Sequence, residues 1–381
     1  MINIAIDASC LLINRYSGLS EVVHNLLLHL PHVNKGCQYT LFMNYFRSPI
    51  GQENTLYQET TIHSLRVPRR LVAFWWDLGW PSIDLLLKDT DIYHSLHVQI
   101  PPAKRIKTIL TVHDCRCLAH PELYKPQVVE NYQKQMNISL SRVDLAVTVS
   151  EFTRQEVLKY FSFPEDRVRV IHNGLNPSWT ETESRQAEIS AALGEINLPQ
   201  SYLLYTGTLD PRKNLDRLIE ALAFCRMEKQ DFPDLVIAGV SYDRWLRSHQ
   251  AIRARQLGIF DHIHICGVVE KGILAELNKA AHALCYPSLY EGFGLPPLEA
   301  MSAGVPVLAS NSSALPEITG DAACLVDPIN VDDIAQGLNK VVFDEEYRQN
   351  LIRLGYKRIE RYSWLESASK YVNIYNDVLR L

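Results

Sequence analysis

Short apolar, β-prone runs alternate with segments of helical period along most of the 381-residue chain. The runs are continuous in Val, Ile and Leu, which is typical of strands covered on both faces in a parallel sheet. The pattern therefore predicts a doubly wound α/β fold. The clearest runs are INIAID, YTLFM, KTILTV, LAVTVS, VRVI, YLLYTG, LVIAG, IHIC, ALCYPS and VPVLAS.

A polar stretch at residues 172–186 interrupts this alternation, and a fresh series of strands and helices starts at Tyr202. The chain is long enough for two domains of ordinary size, each with its own core. We therefore predict a first domain over residues 1–175 and a second over residues 176–361.

The C-terminal residues 362–381 predict a helix of their own, with Ser363 as its N-cap. Apolar residues recur there at helical spacing, so one face of this helix is expected to be buried. These positions are Leu365, Ala368, Val372, Tyr375 and Leu379.

Composition excludes several classes of partner. The net charge is −5 with mixed signs and no basic block, which argues against nucleic acid. No uncharged apolar run reaches the roughly 18 residues that span a bilayer, and the N-terminus lacks a secretion signal, so we expect a cytoplasmic protein.

The eight cysteines are scattered through apolar contexts and are expected to be reduced. The segment HDCRCLAH offers zinc ligands as a weaker alternative, because Cys-x-Cys is not the usual knuckle. These would be His113, Cys115, Cys117 and His120.

Ligands of open α/β sheets bind in the loops beyond the carboxyl ends of the strands. After the first strand, Gly18 precedes a helical pattern, so backbone amides there could meet an anion, or the glycine could simply allow a turn. After KTILTV come His113 and Asp114, where the carboxylate could orient the imidazole. His113 is thus either a catalytic or substrate-contacting residue or a core histidine.

The loop TLDPRKNLDRL places Arg212 and Lys213 directly before Asn214, a predicted helix N-cap. Cations are unfavourable at the positive end of a helix dipole, so they are not explained as helix stabilisers. A diphosphate would explain both, since arginine can fork two oxygens and lysine can act as a point charge. Solvated surface charges are the alternative.

The segment LYEGFGLPPLEAMSAGVPVLAS, residues 289–310, combines two carboxylates with a glycine-rich turn and a helix start. Gly292 and Gly294 allow close backbone approach, and the two prolines suit the first turn of a helix. Backbone amides at the turn are predicted to face a phosphate. They belong to Phe293, Gly294 and Leu295.

The two carboxylates of this segment are predicted to have different partners. Glu299 should lie within the first turn or so of the helix, about 4 to 5 Å from its start. There it could accept hydrogen bonds from two neighbouring hydroxyls such as those of a ribose, or merely complement the helix dipole. Glu291, ahead of the turn, would reach the group beyond the phosphates, which is a sugar.

With these motifs the chain resembles the retaining, nucleotide-sugar-dependent glycosyltransferases of the GT-B fold, family 4. The resemblance rests on the Glu-x7-Glu signature from Glu291 to Glu299, on GVPVLASNSSALPEITGDAACLVDP behind it, on YTGTLDPRKNLDRLIEAL before it and on LTVHD in the first half. It implies two Rossmann-like domains with parallel sheets facing a cleft. It also implies that the second domain binds the nucleotide sugar and that helix 362–381 crosses back to the first.

The resemblance also implies roles for individual residues. Arg212 and Lys213 would hold the diphosphate, Glu299 the ribose hydroxyls and Glu291 the donor sugar. The remaining donor contacts would come from His113 on the sugar, the amides of Phe293, Gly294 and Leu295, the Gly18 loop over the phosphates, and Gly267, Val268 and Val269 around the base. Two positions depart from the family pattern. Leu19 stands where many members have a second glycine. Thr208 stands where many members have an arginine, and Arg212 would then take the role of that arginine.

The implied reaction moves glucose or mannose from a UDP- or GDP-hexose to a hydroxyl of a glycan or lipid-linked acceptor, in cell-surface or exopolysaccharide assembly. Arg212 and Lys213 would stabilise the leaving diphosphate, so neither a metal nor another cofactor is expected. A dehydrogenase is disfavoured because no Gly-x-Gly-x-x-Gly follows an early strand. A non-catalytic sugar-nucleotide-binding scaffold and a phosphorylase or epimerase of the same fold remain alternatives.

The segment RVPRRLVAFWWDLGWP mixes arginines with tryptophans. Such a composition suits a membrane surface or a lipid-linked acceptor, and the protein would then be peripheral on the cytoplasmic face. The favoured interpretation is that the aromatic residues belong to the core or to a domain interface. The residues concerned are Arg66, Arg69, Arg70, Trp75, Trp76 and Trp80.

Overall fold

The computed structural model describes residues 1–12, 18–34, 36–44, 60–175 and 198–380. These residues form two compact units. The first, called the N-terminal unit, comprises Met1–Gly174 together with Tyr362–Leu381. The second, called the C-terminal unit, comprises Leu175–Arg361.

The N-terminal unit contains a seven-stranded sheet in the order β3-β2-β1-β4-β5-β6-β7, in which every pair of neighbours is parallel. Its strands are β1 Ile2–Asp7, β2 Cys37–Asn44, β3 Thr60–Leu65, β4 Ile92–Ser95, β5 Lys107–Val112, β6 Leu145–Thr148 and β7 Val168–Val170. Its first helices are α1 Gly18–Val33, α2 Arg69–Asp77, α3 Arg116–Ala119, α4 Pro126–Arg142 and α5 Glu151–Tyr160.

The C-terminal unit contains a six-stranded parallel sheet in the order β10-β9-β8-β11-β12-β13. Its strands are β8 Tyr202–Thr206, β9 Asp234–Ala238, β10 Ile263–Gly267, β11 Ala283–Tyr286, β12 Val307–Ser310 and β13 Cys324–Val326. Its helices are α6 Leu215–Glu228, α7 Tyr242–Leu246, α8 His249–Gln256, α9 Lys271–Ala280, α10 Leu295–Ser302, α11 Leu315–Thr319, α12 Val331–Phe343 and α13 Glu345–Ile359. The doubly wound α/β prediction is confirmed.

The last helix, α14 Trp364–Val378, packs against α1 of the N-terminal unit. The hydroxyl of Ser363 accepts the backbone N–H of Glu366, as the capping prediction requires. Two of the positions predicted to be buried, Leu365 and Leu379, are exposed. The buried face of the helix is centred on Ala368 and Tyr375, and with 3.6 residues per turn the side chains of these two leucines lie on the opposite side. The buried positions are Trp364, Ser367, Ala368, Tyr371, Val372, Ile374, Tyr375 and Val378.

A buried histidine joins α14 to the sheet of the N-terminal unit. Nδ1 of His94 lies 2.9 Å from the hydroxyl of Tyr375, and Nε2 lies 2.8 Å from that of Thr111. Burial, reinforced by the nearby His113, lowers the pKa of His94 to about 3. The ring is therefore neutral at physiological pH, and it gives the buried hydroxyls of Tyr375 and Thr111 a hydrogen-bond partner, which an apolar residue could not do.

Candidate active site

Within the C-terminal unit the strand order reverses between β8 and β11, which are neighbours in the sheet although two strands separate them in sequence. Such a reversal leaves a crevice at the carboxyl ends of the two strands, where open α/β sheets bind ligands. The loop after β8 carries Arg212 and Lys213, and the loop after β11 carries Glu291. The topology thus brings the predicted pair of cations next to a carboxylate predicted from a different loop.

The loop after β8 turns tightly at the sequence DPRKN. Asp210 accepts the backbone N–H of Arg212 at 2.9 Å and so caps a single 3-10 turn over Pro211–Lys213. Proline at the first position of that turn has its φ preset and has no N–H to leave unpaired. The turn fixes the backbone from which both cationic side chains extend.

Asn214 ends this turn in the left-handed conformation, with φ at 60°. It occupies the N-cap position of α6, as predicted, but its side chain accepts no backbone N–H of the helix. Its Oδ1 accepts a hydrogen bond from Nη1 of Arg217, in the first turn, at 2.9 Å. Its Nδ2 instead donates to the carbonyls of Pro287 at 2.9 Å and Pro328 at 2.7 Å. The asparagine therefore ties the loop after β8 to the loops after β11 and β13.

Arg212 and Lys213 converge on one carboxylate. Oε1 of Glu291 lies 2.7 Å from Nζ of Lys213 and 2.9 Å from Nη1 of Arg212, and all three side chains are nearly buried. Lys213 also donates to the hydroxyl of Tyr286 at 2.5 Å, and Arg212 to the carbonyl of Tyr290 at 2.6 Å. Two cations thus share one carboxylate, and the charge of Asp210 acts on Lys213 as well.

The charges of this cluster control the protonation of Glu291. Burial acts to raise the pKa of this carboxyl, but the neighbouring Lys213 and Arg212 outweigh burial and hold the pKa at about 2. Burial also lowers the pKa of Lys213, an effect that Glu291 opposes. Glu291 is therefore ionised at neutral pH and is a weak base.

A serine-rich loop after β12 holds the backbone of Glu291. The hydroxyl of Ser313 accepts the N–H of Glu291 at 3.0 Å, and the carbonyl of Glu291 accepts the N–H of Ala314 at 3.2 Å. Ser313 itself has a φ of 57°, which is rare for a residue with a side chain. The sequence prediction did not include these contacts, although the run SNSSA directly after a strand was the available signal.

Helix α10 begins at Leu295, directly after Gly294, whose φ of 128° suits glycine. A β-carbon at Gly294 would lie 2.8 Å from Cδ2 of Leu315, so a larger residue there would have to displace this methyl group. Phe293 is buried beside it. The predicted turn and the predicted proline-containing first helical turn are both present.

Glu299 is the fifth residue of α10, about 6 Å along the axis from its start. This is one residue beyond the predicted 4 to 5 Å and just past the first turn, because the helix already starts at Leu295, ahead of both prolines. Burial raises the pKa of Glu299 to about 7, although the charge of Lys271, the first residue of α9, acts to lower it. Sequence reasoning did not identify Lys271, whose relation to Glu299 depends on tertiary packing.

Comparisons with known proteins show the family of the chain. A model described as Glycosyltransferase Family 4 matches residues 16–179, and one described as Glycosyl transferases group 1 matches residues 188–358. The O-antigen chain mannosyltransferase B of Escherichia coli is 33% identical over 288 residues, which are 74% of this chain and 74% of that protein. The chain belongs to glycosyltransferase family 4.

Other relatives of this glycosyltransferase differ in length. The serotype-specific mannosyltransferase WbdA of Escherichia coli is 27% identical over 72% of this chain but only 34% of its own length, so the chain spans about a third of that relative.

Among solved structures, a sucrose-phosphate synthase from Thermosynechococcus elongatus superposes with a TM-score of 0.75 at 19% identity over 100% of both chains. A HepE protein of Anabaena, solved with UDP, gives 0.69 at 16% identity over 99% of this chain and 100% of its own. These likenesses establish the GT-B fold.

In this glycosyltransferase the predicted base-binding residues follow β10. Gly267 has a φ of 79°, and its carbonyl accepts the N–H of Gly239 at 2.7 Å, which links the loops after β9 and β10. Val268 projects into solvent and Val269 is half-buried.

The predicted site residues of the N-terminal unit are His113 and Gly18. Burial lowers the pKa of His113 to about 4, which Asp114 opposes and His97 reinforces, so the imidazole is neutral. The ring is hydrogen-bonded to the backbone of Leu96. Its Nε2 is buried and has no hydrogen-bond partner within the described part of the chain.

Asp114 does not orient the histidine as predicted. Its carboxylate faces the following helix, where it accepts the backbone N–H of Arg116 at 3.3 Å and lies 3.6 Å from the guanidinium. Gly18 is the first residue of α1, and the loop before it, residues 13–17, lies outside the described residues. Among the described residues, no group of three or more His, Cys, Asp or Glu could hold a metal ion, so the zinc alternative gains no support.

Proposed function

We propose that this glycosyltransferase is a retaining hexosyltransferase that moves mannose or glucose from a nucleoside-diphosphate sugar to a hydroxyl of a glycan or lipid-linked acceptor in surface polysaccharide assembly. The observation that carries the proposal is the pair of cations, Arg212 and Lys213, converging on Glu291 at the strand-order reversal. The mannosyltransferase relatives favour mannose as the transferred sugar, with GDP-mannose as its donor.

The two cations of the cluster suit a leaving diphosphate. Arg212 can fork two phosphate oxygens, and Lys213 can place a point charge beside a third. Both cations are nearly buried, so their attraction to developing negative charge is stronger than it would be in water. They supply the charge stabilisation that a divalent metal provides in other transferases, and we therefore propose a metal-independent reaction.

The remaining donor contacts follow from the same loops. The amides of Phe293, Gly294 and Leu295 at the start of α10 would bind phosphate. Glu299, further along that helix, would accept hydrogen bonds from the two ribose hydroxyls. Gly267, Val268 and Val269 at the end of β10 would contact the base.

Glu291 is proposed to orient the donor sugar through hydrogen bonds and not to act as nucleophile or general base. A carboxylate with a pKa of about 2, held by two cations, is a poor proton acceptor. In the proposed step the acceptor oxygen forms a bond to C1 on the face from which the diphosphate leaves, while the bond from C1 to the phosphate oxygen breaks. The acceptor proton goes to that phosphate oxygen, and the anomeric configuration is retained.

The test is transfer with purified protein, EDTA and a panel of UDP- and GDP-hexoses, followed by NMR of the product linkage. We expect one donor to raise the melting temperature and to give an α-linked product. Lys213→Ala should abolish both effects, while Lys279→Ala, at an exposed lysine paired with Glu276, should change neither. No response to any donor, or inversion of configuration, would contradict the proposal.

The same assay separates the alternatives. Release of nucleoside diphosphate in step with a new glycoside is expected only of a transferase. Donor binding without release would indicate a non-catalytic scaffold, and phosphate-dependent turnover would indicate a phosphorylase.

A further inference from the structure

Helix α2 of the N-terminal unit has two apolar faces. Val72 and Trp76 are buried in a core cluster with Ile83 and Tyr93. Four other apolar residues, spaced i, i+3, i+4 and i+7, point into solvent. Their exposed fractions are 46% for Leu71, 58% for Phe74, 37% for Trp75 and 69% for Leu78. A stripe at helical spacing normally faces a core, and within the described ranges of the chain this one lacks the partner that its pattern predicts.

The residues that follow α2 add to its exposed apolar stripe. Gly79, with a φ of 82°, donates to the carbonyl of Trp76 at 2.9 Å, and Trp80 donates to that of Trp75 at 3.1 Å. This Schellman pattern turns the chain back, so that Trp80 comes next to Trp75 while remaining 65% exposed. Leu85, after the buried Ile83 of the same core cluster, is also exposed. We call these six exposed residues the α2 surface: Leu71, Phe74, Trp75, Leu78, Trp80 and Leu85.

Basic residues border the α2 surface. Arg66, ahead of α2, and Arg70, its second residue, are exposed. A cation at this end of a helix opposes the helix dipole, so neither arginine serves helix stability. Lys104 and Arg105 are exposed beside the segment of Leu85. The carboxylate between them, Asp84, accepts both of their backbone N–H groups and is half-buried.

This positive border is local, because the chain as a whole carries a net charge of −5.

We propose that the α2 surface binds the headgroup region of an anionic phospholipid bilayer. Tryptophan and phenylalanine beside arginine are the composition that favours this interface, where apolar rings enter the acyl boundary and cations meet lipid phosphates. No helix among the described residues is long and apolar enough to cross a membrane, so the contact would be peripheral.

A second copy of the chain is a less suitable occupant than a bilayer. An isologous dimer pairs each residue of the surface with a different residue of the same surface, so the basic border would meet apolar residues or further cations of the second copy. Like charges across an interface cost several kcal/mol. An anionic bilayer presents the opposite charge over the whole surface.

The test is co-sedimentation of the full chain, without donor, with vesicles of phosphatidylcholine alone or mixed with phosphatidylglycerol. We expect binding to the mixed vesicles, weakened by salt. Arg66→Gln with Arg70→Gln should weaken it roughly thirtyfold, at about 1 kcal/mol or fivefold per arginine. Phe74→Ser with Leu78→Ser should weaken it more than about tenfold.

Matched controls change equally exposed positions elsewhere: Arg244→Gln with Arg247→Gln, and Met227→Ser with Ile329→Ser. They should bind like the original chain. Failure of the original chain to bind, equal binding by the α2 variants, or a change of oligomeric state in those variants would overturn the proposal. Since no donor is present, failure here leaves the proposed transferase reaction unaffected.

Discussion

Nζ of Lys213 lies 2.7 Å from Oε1 of Glu291, and both side chains are nearly buried. Arg212 approaches the same oxygen at 2.9 Å. Because a buried charge is costly without a partner, the three residues depend on one another for stability as well as for any ligand they bind.

The first prediction concerns this coupling. Lys213→Met should lower the free energy of unfolding by about 2 kcal/mol, less than the 3–5 typical of a broken buried pair because Arg212 still faces Glu291. Lys213→Met with Glu291→Gln should cost less than the sum of the single changes, since the double variant leaves no unpaired carboxylate. Urea denaturation measures all three values, and strict additivity would contradict the coupling.

The second prediction concerns Asn214, whose backbone is left-handed and whose amide donates to two carbonyls. Asn214→Ala should lower the free energy of unfolding by about 3 kcal/mol, through lost hydrogen bonds and the cost of a left-handed alanine. Asn214→Gly loses the same bonds without that cost, so it should be about 1 kcal/mol more stable than the alanine variant. If alanine proved as stable as glycine here, the left-handed backbone would not matter.

Sequence alone predicted the buried strands well and the polar ones poorly. KTILTV became β5 to the residue, because a run of apolar β-formers covered on both faces is unambiguous. The strand β4, IYHS, was missed because it buries His94 and Ser95. The hydrogen-bond partner that permits His94 there, Tyr375, lies 281 positions along the chain and cannot be inferred from local pattern.

The candidate site shows the same limit. The sequence predicted an anion for Arg212 and Lys213, and a nearby carboxylate at Glu291, but not that these three residues bond to each other. Their meeting depends on β8 and β11 being neighbours and on the backbone of Asn214, which are properties of the folded sheet.

The third prediction compares two glycines of the N-terminal unit. A β-carbon at Gly174 would lie 2.2 Å from the backbone nitrogen of Trp364, the first residue of α14, whereas one at Gly18 has no neighbour within 4 Å. Gly174→Ala should therefore lower the free energy of unfolding by about 3 kcal/mol, because backbone must move. Gly18→Ala, at the start of α1, should leave it unchanged or slightly raised. Equal melting temperatures for the two variants would contradict the packing described for Gly174.

The fourth prediction concerns His94, whose pKa burial lowers from 6.5 to about 3. Because the pKa of His94 is lower in the folded chain, the unfolded chain takes up a proton at this residue at a higher pH than the folded chain does. The contribution of His94 to the free energy of unfolding is therefore complete above about pH 6.5 and decreases as the pH drops. The loss due to this residue should reach about 2 kcal/mol at about pH 5. His94→Gln should be less stable at neutral pH but lose less on acidification, while His113, with a pKa near 4, keeps its own contribution in both proteins. Parallel stability curves for the two proteins would contradict this assignment.

The last prediction joins the raised pKa of Glu299, about 7, to the proposed ribose contact. A carboxylate can accept hydrogen bonds from both ribose hydroxyls, whereas the protonated acid uses one oxygen as a donor. The affinity for the donor should therefore be highest above about pH 7 and decrease nearly tenfold per pH unit below it. The decrease should stop below the pKa that Glu299 has in the complex with the donor. Glu299→Gln should bind the donor weakly and without this pH dependence.

The charge of Lys271 lowers the pKa of Glu299. Lys271→Met should therefore move the midpoint of the pH dependence of donor affinity to higher pH, and Lys271→Arg should restore it. Titration calorimetry across this range measures each midpoint, and a donor affinity in the original chain that stays constant from about pH 8 to about pH 5 would exclude Glu299 from the ribose contact.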